Sequence, residues 1–224
     1  MKQPEFIVID LDGTLVDSVP DLAWAVDRMM EAISRPVWGE DAVRNWVGNG
    51  VDRLVKRALT NQLHAEPDMA EYERAHPIFM DFYHQSNGNY SRVFDGVVVA
   101  LDKFTAAGIP LACVTNKAEA FTLPLLETLG IRKYFKTVVS GDTTPHKKPH
   151  PEPLLHAARE LGFTPDVGLM IGDSQHDVEA ARNAGFQVVA VTYGYNHGED
   201  IRLAKPDAVV DSMADVAVLF EQGK

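Results

Sequence analysis

Six short apolar runs, nearly unbroken by polar residues and separated by helical patterns, narrow this chain to one architecture. They are Phe6–Ile9, Pro110–Val114, Thr137–Val139, Val167–Ile171, Gln187–Val191 and Ala208–Val210. A strand with one solvated face alternates apolar and polar residues. A strand covered on both faces does not, and such strands belong to parallel sheets. Between the runs lie segments of helical period. Val97, Leu101 and Phe104 share a face, as do Phe121, Leu125, Leu126 and Leu129, with Gly130 as a stop. Pro151–Leu161 opens with prolines suited to a first turn and is followed by Gly162; Gln175–Ala184 is followed by Gly185. This βαβ succession predicts an α/β fold, a doubly wound parallel sheet with a Rossmann-like core.

One stretch departs from the pattern. Between Val16 and Asn89 no strand is expected, and three helical periods take its place: Leu22, Val26, Met29, Met30 and Ile33; Val51, Leu54, Val55, Ala58 and Leu59; Tyr72, Phe79, Met80 and Tyr83. Pro77 falls inside the last, where an interior proline costs about 3 kcal/mol. The reading is an all-helical cap domain, residues 16–89, inserted into a catalytic core made of 1–15 and 90–224.

Composition limits the function. The chain has 224 residues and a net charge of −11, which argues against a nucleic-acid partner, since phosphate neutralisation needs a basic face. No apolar run approaches the ~18 residues of a spanning helix. Phe6–Ile9 is too short for a signal-peptide core, so no membrane partner and a cytoplasmic location are expected. The single cysteine, Cys113, excludes an internal disulfide framework.

Ligands of open parallel sheets bind beyond the carboxyl ends of the strands. Here Phe6–Ile9 runs into Asp10-Leu11-Asp12-Gly13-Thr14, Pro110–Val114 into Thr115-Asn116-Lys117, and Val167–Ile171 into Gly172-Asp173-Ser174 with Asp177 a turn later; Lys148 lies in the loop after Thr137–Val139. Two like charges ~4 Å apart repel by about 4 kcal/mol at an effective dielectric of 20. A cluster of Asp10, Asp12, Asp173 and Asp177 therefore calls for a hard cation, and an all-oxygen set without cysteine or clustered histidine selects Mg²⁺. Mg²⁺ commonly bridges carboxylates to a phosphate. Thr115, Asn116 and Lys148 are the candidate phosphate-binding residues. A calcium loop is excluded, because the third Asp/Asn and the glutamate at loop position twelve are missing. Taken singly, each motif also reads as a turn, a helix cap or a surface lysine; their joint occurrence in this order does not.

These four motifs resemble those of the haloacid dehalogenase-like hydrolase superfamily, and the helical insert sits where that family carries a small cap. The resemblance implies that Asp10 is the nucleophile and a Mg²⁺ ligand, and that Asp12 is the general acid/base with its backbone carbonyl on the metal. It also implies that Asp173 is the further metal carboxylate and Asp177 a supporting one behind it. The dehalogenase branch lacks an acid/base aspartate at the position of Asp12, so phosphoryl chemistry is expected. Asp10–Ser18, Trp46–Gly50, Lys147–Leu155 and Thr192–Asn196 are similar to the phosphoglycolate phosphatase branch in particular. That similarity implies a phosphomonoesterase acting on 2-phosphoglycolate through an aspartyl phosphate. A sugar-phosphate phosphatase or β-phosphoglucomutase-like enzyme of the same superfamily is the alternative.

The expected partner is a small phosphorylated metabolite, with the protein a monomer or weak homodimer. The insert is expected to contact the substrate through Asn49 and Arg53. Gly48-Asn49-Gly50 is not a dinucleotide fingerprint, since a helical pattern precedes it and Arg53 occupies the third glycine position. Lys117 is open to either a structural or a site role, and His146 and His150 are assigned nothing. Two rivals remain: a phosphonate hydrolase using Lys56 as a Schiff-base lysine, and a phosphorylation-dependent signalling module with a stable aspartyl phosphate.

Overall fold

A computed structural model of the chain describes residues 1–220. The core is a six-stranded sheet built from β1 (Phe6–Ile9), β4 (Leu111–Val114), β5 (Phe135–Val139), β6 (Gly168–Gly172), β7 (Gln187–Val191) and β8 (Ala208–Val210). The spatial order is β5-β4-β1-β6-β7-β8, with every pairing parallel. From β1 the chain winds outward through β4 and β5, then returns to β6 and winds the other way. The sheet is the doubly wound α/β core that the apolar runs predict.

Both faces are covered, which is why those runs are continuous. Ile7, Ile9, Leu111, Cys113, Leu169 and Ile171 pack on one side with α5 (Val97–Ala106), α6 (Glu119–Thr128) and α9 (Met213–Val218). Phe6, Val8, Ala112, Val114 and Met170 point to the other, against α7 (Glu152–Leu161) and α8 (Gln175–Ala184). Period-two alternation thus assigns side chains to two buried faces rather than to core and solvent. Burying one such Leu, Ile or Val contributes about 1.5–3 kcal/mol.

Four helices lie between β1 and α5: α1 (Val19–Ala32), α2 (Gly39–Arg44), α3 (Val51–Thr60) and α4 (Met69–Ser86). They share a second apolar core that includes Met29, Val55, Phe79 and Tyr83 and reaches Phe121 of α6 and Tyr195 of the loop after β7. Two features differ from the sequence reading. A two-residue strand, β2 (Val16–Asp17), pairs antiparallel with β3 (Arg92–Val93) at the foot of the helices; two residues are too few to show a period. And α4 runs through Pro77 unbroken. The carbonyl that Pro77 leaves without a helical partner belongs to Glu73, and both residues are exposed, on the side of the helix open to solvent. Among the described residues no helix is long and apolar enough to cross a membrane.

Candidate active site

Register positions the site. Ile9 pairs with Cys113 on one side and with Ile171 on the other, so three strands end at one level. Asp10, Thr115 and Asp173 follow those ends within two residues. The ladder extends slightly beyond: the Asp10 amide donates to the Ile171 carbonyl at 3.0 Å and the Thr115 amide to Val139 at 2.9 Å.

Past β1 the chain turns tightly, with the amides of Thr14, Leu15 and Val16 converging on the Leu11 carbonyl. Gly13 sits at φ 88°, in the left-handed region, and a Cβ there would collide with the Asp173 carboxylate. The turn then delivers the Thr14 hydroxyl to Asp173 Oδ1 at 2.6 Å, while the Tyr195 amide donates to Asp173 Oδ2 at 2.6 Å.

Lys148 is buried among the carboxylates. Its Nζ donates to Asp10 Oδ1 at 2.7 Å, to Asp177 Oδ1 at 2.7 Å and to the Val114 carbonyl at 2.9 Å. An ammonium has three protons, so all are engaged. The second Asp177 oxygen accepts from the Ser174 amide at 3.0 Å and its hydroxyl at 2.7 Å, a capping box that opens α8. Asp12 faces elsewhere. Its two oxygens lie 2.9 and 3.1 Å from Lys117 Nζ, which in turn lies over the Tyr83 ring from α4.

One carboxylate oxygen from each of Asp10, Asp173 and Asp177 lies within 4.8 Å of the others, all three residues buried. Burial pushes the Asp10 carboxyl up to about 7 against the pull of Lys148, and burial beside Asp177 and Asp10 raises Asp173 well above the ordinary range. For Lys148 burial opposes the charge, but Asp10 and Asp177 outweigh it and hold the ammonium above the usual lysine value. Lys117 is raised in the same way by Asp12. Asp173 has no cationic partner among the described residues. The site therefore holds three buried carboxylates against one lysine.

Above these groups lies a cavity of about 250 Å³, walled by Asp10, Asp12 and Thr115 from the core and by Leu22, Val47, Val51 and Tyr83 from the helical insert. The other expected residues fall as follows. Asn116 turns its amide to the Lys148 loop: Oδ1 accepts from the Lys148 amide at 2.9 Å and Nδ2 donates to its carbonyl at 3.0 Å. Asn49 is held between Arg57 and His176, each at 2.7 Å. Arg53, expected on the substrate, does not line the cavity and pairs with Glu66 at 2.8 Å. The segment after α3 folds back over the helix and supplies that glutamate. The pairing of Lys117 with Asp12 was not read from the sequence; its position in the polar cluster after β4 is the signal that was there.

The family comparison agrees with this geometry. Residues 7–191 match the model of the haloacid dehalogenase-like hydrolases, and the chain belongs to that family. A phosphoglycolate phosphatase of Nitrosococcus oceani is 53% identical over 222 residues, covering 99% of each chain. One of Thiobacillus denitrificans is 47% identical over 95% of this chain and 94% of its own. Among solved structures, a crystal structure described as a predicted phosphoglycolate phosphatase from Haemophilus somnus superposes with a TM-score of 0.90 at 37% identity, covering 98% and 99% of the two chains.

Proposed function

We propose that this protein is a phosphomonoesterase that hydrolyses 2-phosphoglycolate to glycolate and phosphate through an aspartyl phosphate on Asp10. The observation that carries the chemistry is the separation of two carboxylates on one turn. Asp10 is bonded to Lys148 among further buried acids, while Asp12 has a lysine of its own. Environments that differ in this way assign different roles to neighbouring carboxylates. The relatives' names supply the substrate.

Asp10 attacks phosphorus in line, and the ester bond to the glycolate oxygen breaks. Asp12 gives that alkoxide its proton. Water then attacks the aspartyl phosphate, Asp12 takes the water proton, and phosphate leaves with Asp10 restored. Thr115 and Lys148 receive the phosphoryl oxygens, Lys148 by exchanging one of its three internal bonds. Asn116 fixes the Lys148 backbone rather than adding a contact of its own.

The donor set fits a hard divalent cation. It is all oxygen, it carries excess buried negative charge, and Asp173 lacks a positive partner. Asp10, the Asp12 carbonyl and Asp173 would hold Mg²⁺, with Asp177 behind them. When bound, the ion neutralises phosphoryl charge as the transition state develops. Helices α1–α4, within residues 16–89, act as the cap over a core formed by 1–15 and 90–224, keeping bulk solvent out while leaving the hydrolytic water beside Asp12.

The test is phosphate release from a panel of small phosphate esters, with Mg²⁺ and with EDTA, joined to mass spectrometry for an acyl phosphate. Phosphoglycolate should lead the panel, with phosphorylation at Asp10. A hexose phosphate in first place would favour the sugar-phosphate alternative, and a phosphoenzyme stable for hours without turnover would favour a signalling role.

A further inference from the structure

The cavity carries more charge than the phosphoryl chemistry uses. Three lysines line it: Lys117, Lys147 and Lys148. Lys117 is committed to Asp12, and Lys148 has all its protons engaged. Lys147 differs. It is exposed, and it enters no side-chain hydrogen bond or ion pair among the described residues. Adjacent in sequence, the two lysines part company: Lys148 turns down to Asp10, while Lys147 reaches across to the helical insert. Its Nζ lies 3.6 Å from the point where a Cβ would project from Gly50, so the ammonium stands directly beside that loop.

The acids on the cavity wall are Asp10, Asp12, Asp52 and Asp173. A second anionic group on the substrate is repelled by all four. Asp52 accepts from the Tyr72 hydroxyl and faces His76 Nε2, at 3.1 Å each, so the His76 ring is already turned to a carboxylate. Arg53 is turned to Glu66, and Arg57 is spent on Trp46, Leu63 and Asn49. His176 also lines the wall, but its Nε2 is turned to Asn49 at 2.7 Å and burial lowers its pKa. What remains is the Lys147 ammonium, at the seam between core and insert.

We propose that Lys147 is the residue that selects a phosphate ester bearing a carboxylate one methylene away, pairing its Nζ with that carboxylate at the seam beside Gly50. This rests on the phosphomonoesterase reading above and names the specificity contact within it. A carboxylate at this position turns toward the insert, away from the Asp10 carboxylate. The neutral analogue of the same length, ethyl phosphate, leaves Lys147 without a partner.

The experiment compares kcat/KM for 2-phosphoglycolate and ethyl phosphate in the wild type, Lys147→Met, Lys147→Arg and Lys147→Glu. Losing one charge-assisted contact should lower the phosphoglycolate-to-ethyl-phosphate ratio by about 10- to 150-fold in Lys147→Met, chiefly through KM. Lys147→Arg should keep most of the ratio. Lys147→Glu should raise O-phosphoethanolamine relative to ethyl phosphate, since the charge at the seam is reversed. A ratio unchanged in Lys147→Met overturns the assignment. A wild type that never prefers phosphoglycolate overturns the substrate reading itself, and this assignment with it. The two failures are distinct because the wild-type ratio is read first. Thermal melts of each variant check that an exposed residue has not altered folding.

Discussion

Lys117 Nζ lies 2.9 and 3.1 Å from the two carboxylate oxygens of Asp12, and the same ammonium stands over the ring of Tyr83. Asp12 follows β1, Lys117 follows β4, and Tyr83 belongs to the helical insert. The group assigned to proton transfer is therefore oriented by a sheet strand and screened by the insert. Lys117→Met should lower kcat by at least about tenfold on every ester while Asp10 still becomes phosphorylated. Rapid-quench trapping of the phosphoenzyme reads this directly: Asp10 should still be phosphorylated, though more slowly, and a variant that traps no phosphoenzyme at all would show that Lys117 acts on Asp10 instead.

The two aspartates of the first turn should separate cleanly. Asp10→Asn removes covalent phosphorylation altogether. Asp12→Asn keeps the nucleophile and loses proton transfer, a deficit of about 10²- to 10⁴-fold. A phosphorylated Asp10→Asn protein, or an unaffected Asp12→Asn rate, contradicts the roles.

Cation binding has a readout apart from turnover. A ligand that binds only the folded state adds about 2.7 kcal/mol at a hundred times its dissociation constant. Mg²⁺ should raise the melting temperature of the wild type, EDTA should reverse the rise and abolish activity, and Asp173→Asn should flatten the response. An unchanged Mg²⁺ shift in Asp173→Asn would remove Asp173 from the metal.

Asp17, on β2, gathers Arg44 from α2, Arg92 from β3 and the Tyr195 hydroxyl. Burial opposes its ionisation, but Tyr195 and the two arginines prevail and hold its carboxyl below the ordinary value. A depressed folded-state value stabilises the fold fully above the unfolded-state value, near pH ~4, and the gain is lost as pH falls through the folded-state value. Asp17→Asn should cost about 1–3 kcal/mol at neutral pH. Urea denaturation should show the gap between wild type and variant closing below pH ~4; a gap constant down to pH ~2 would place the effect in packing instead.

What could be read from the sequence, and what could not, follows from range. The sheet was legible because its strands are buried on both faces and their apolar runs need no partner to be recognised. The acids and Lys148 were legible because a parallel sheet sends its strand ends to one edge, whatever the loops do. The Lys117–Asp12 pair was not, since it joins residues 105 apart in sequence through a register that only the folded sheet sets. Nor was the β2–β3 ribbon, with two residues on each side. Arg53 and Arg57 are the clearest case. They lie one turn apart on α3, and nothing local tells which of them is buried.

That pair yields the last prediction. Arg57 is 3% exposed and donates to the carbonyls of Trp46 and Leu63 and to Asn49 Oδ1. It thereby fixes the loop that ends at Gly50, although burial and the nearby Arg53 bring its guanidinium down to about 10. All three partners are uncharged oxygens, so Arg57 serves as a brace for the loop. Removing it leaves those oxygens without a donor, at about 1–3 kcal/mol for each that stays buried. Arg57→Met should lower stability and reduce kcat/KM on phosphoglycolate and ethyl phosphate alike, because the loop shifts for both. Arg53 is half-buried in a pair with Glu66, and Lys56 shares the same glutamate at 2.6 Å. A surface pair of this kind contributes about 0.2–1 kcal/mol. Arg53→Ala should therefore change stability by no more than that and leave the preference between the two esters within about twofold. A selective loss on phosphoglycolate in Arg53→Ala would return the carboxylate contact to the insert and remove it from Lys147.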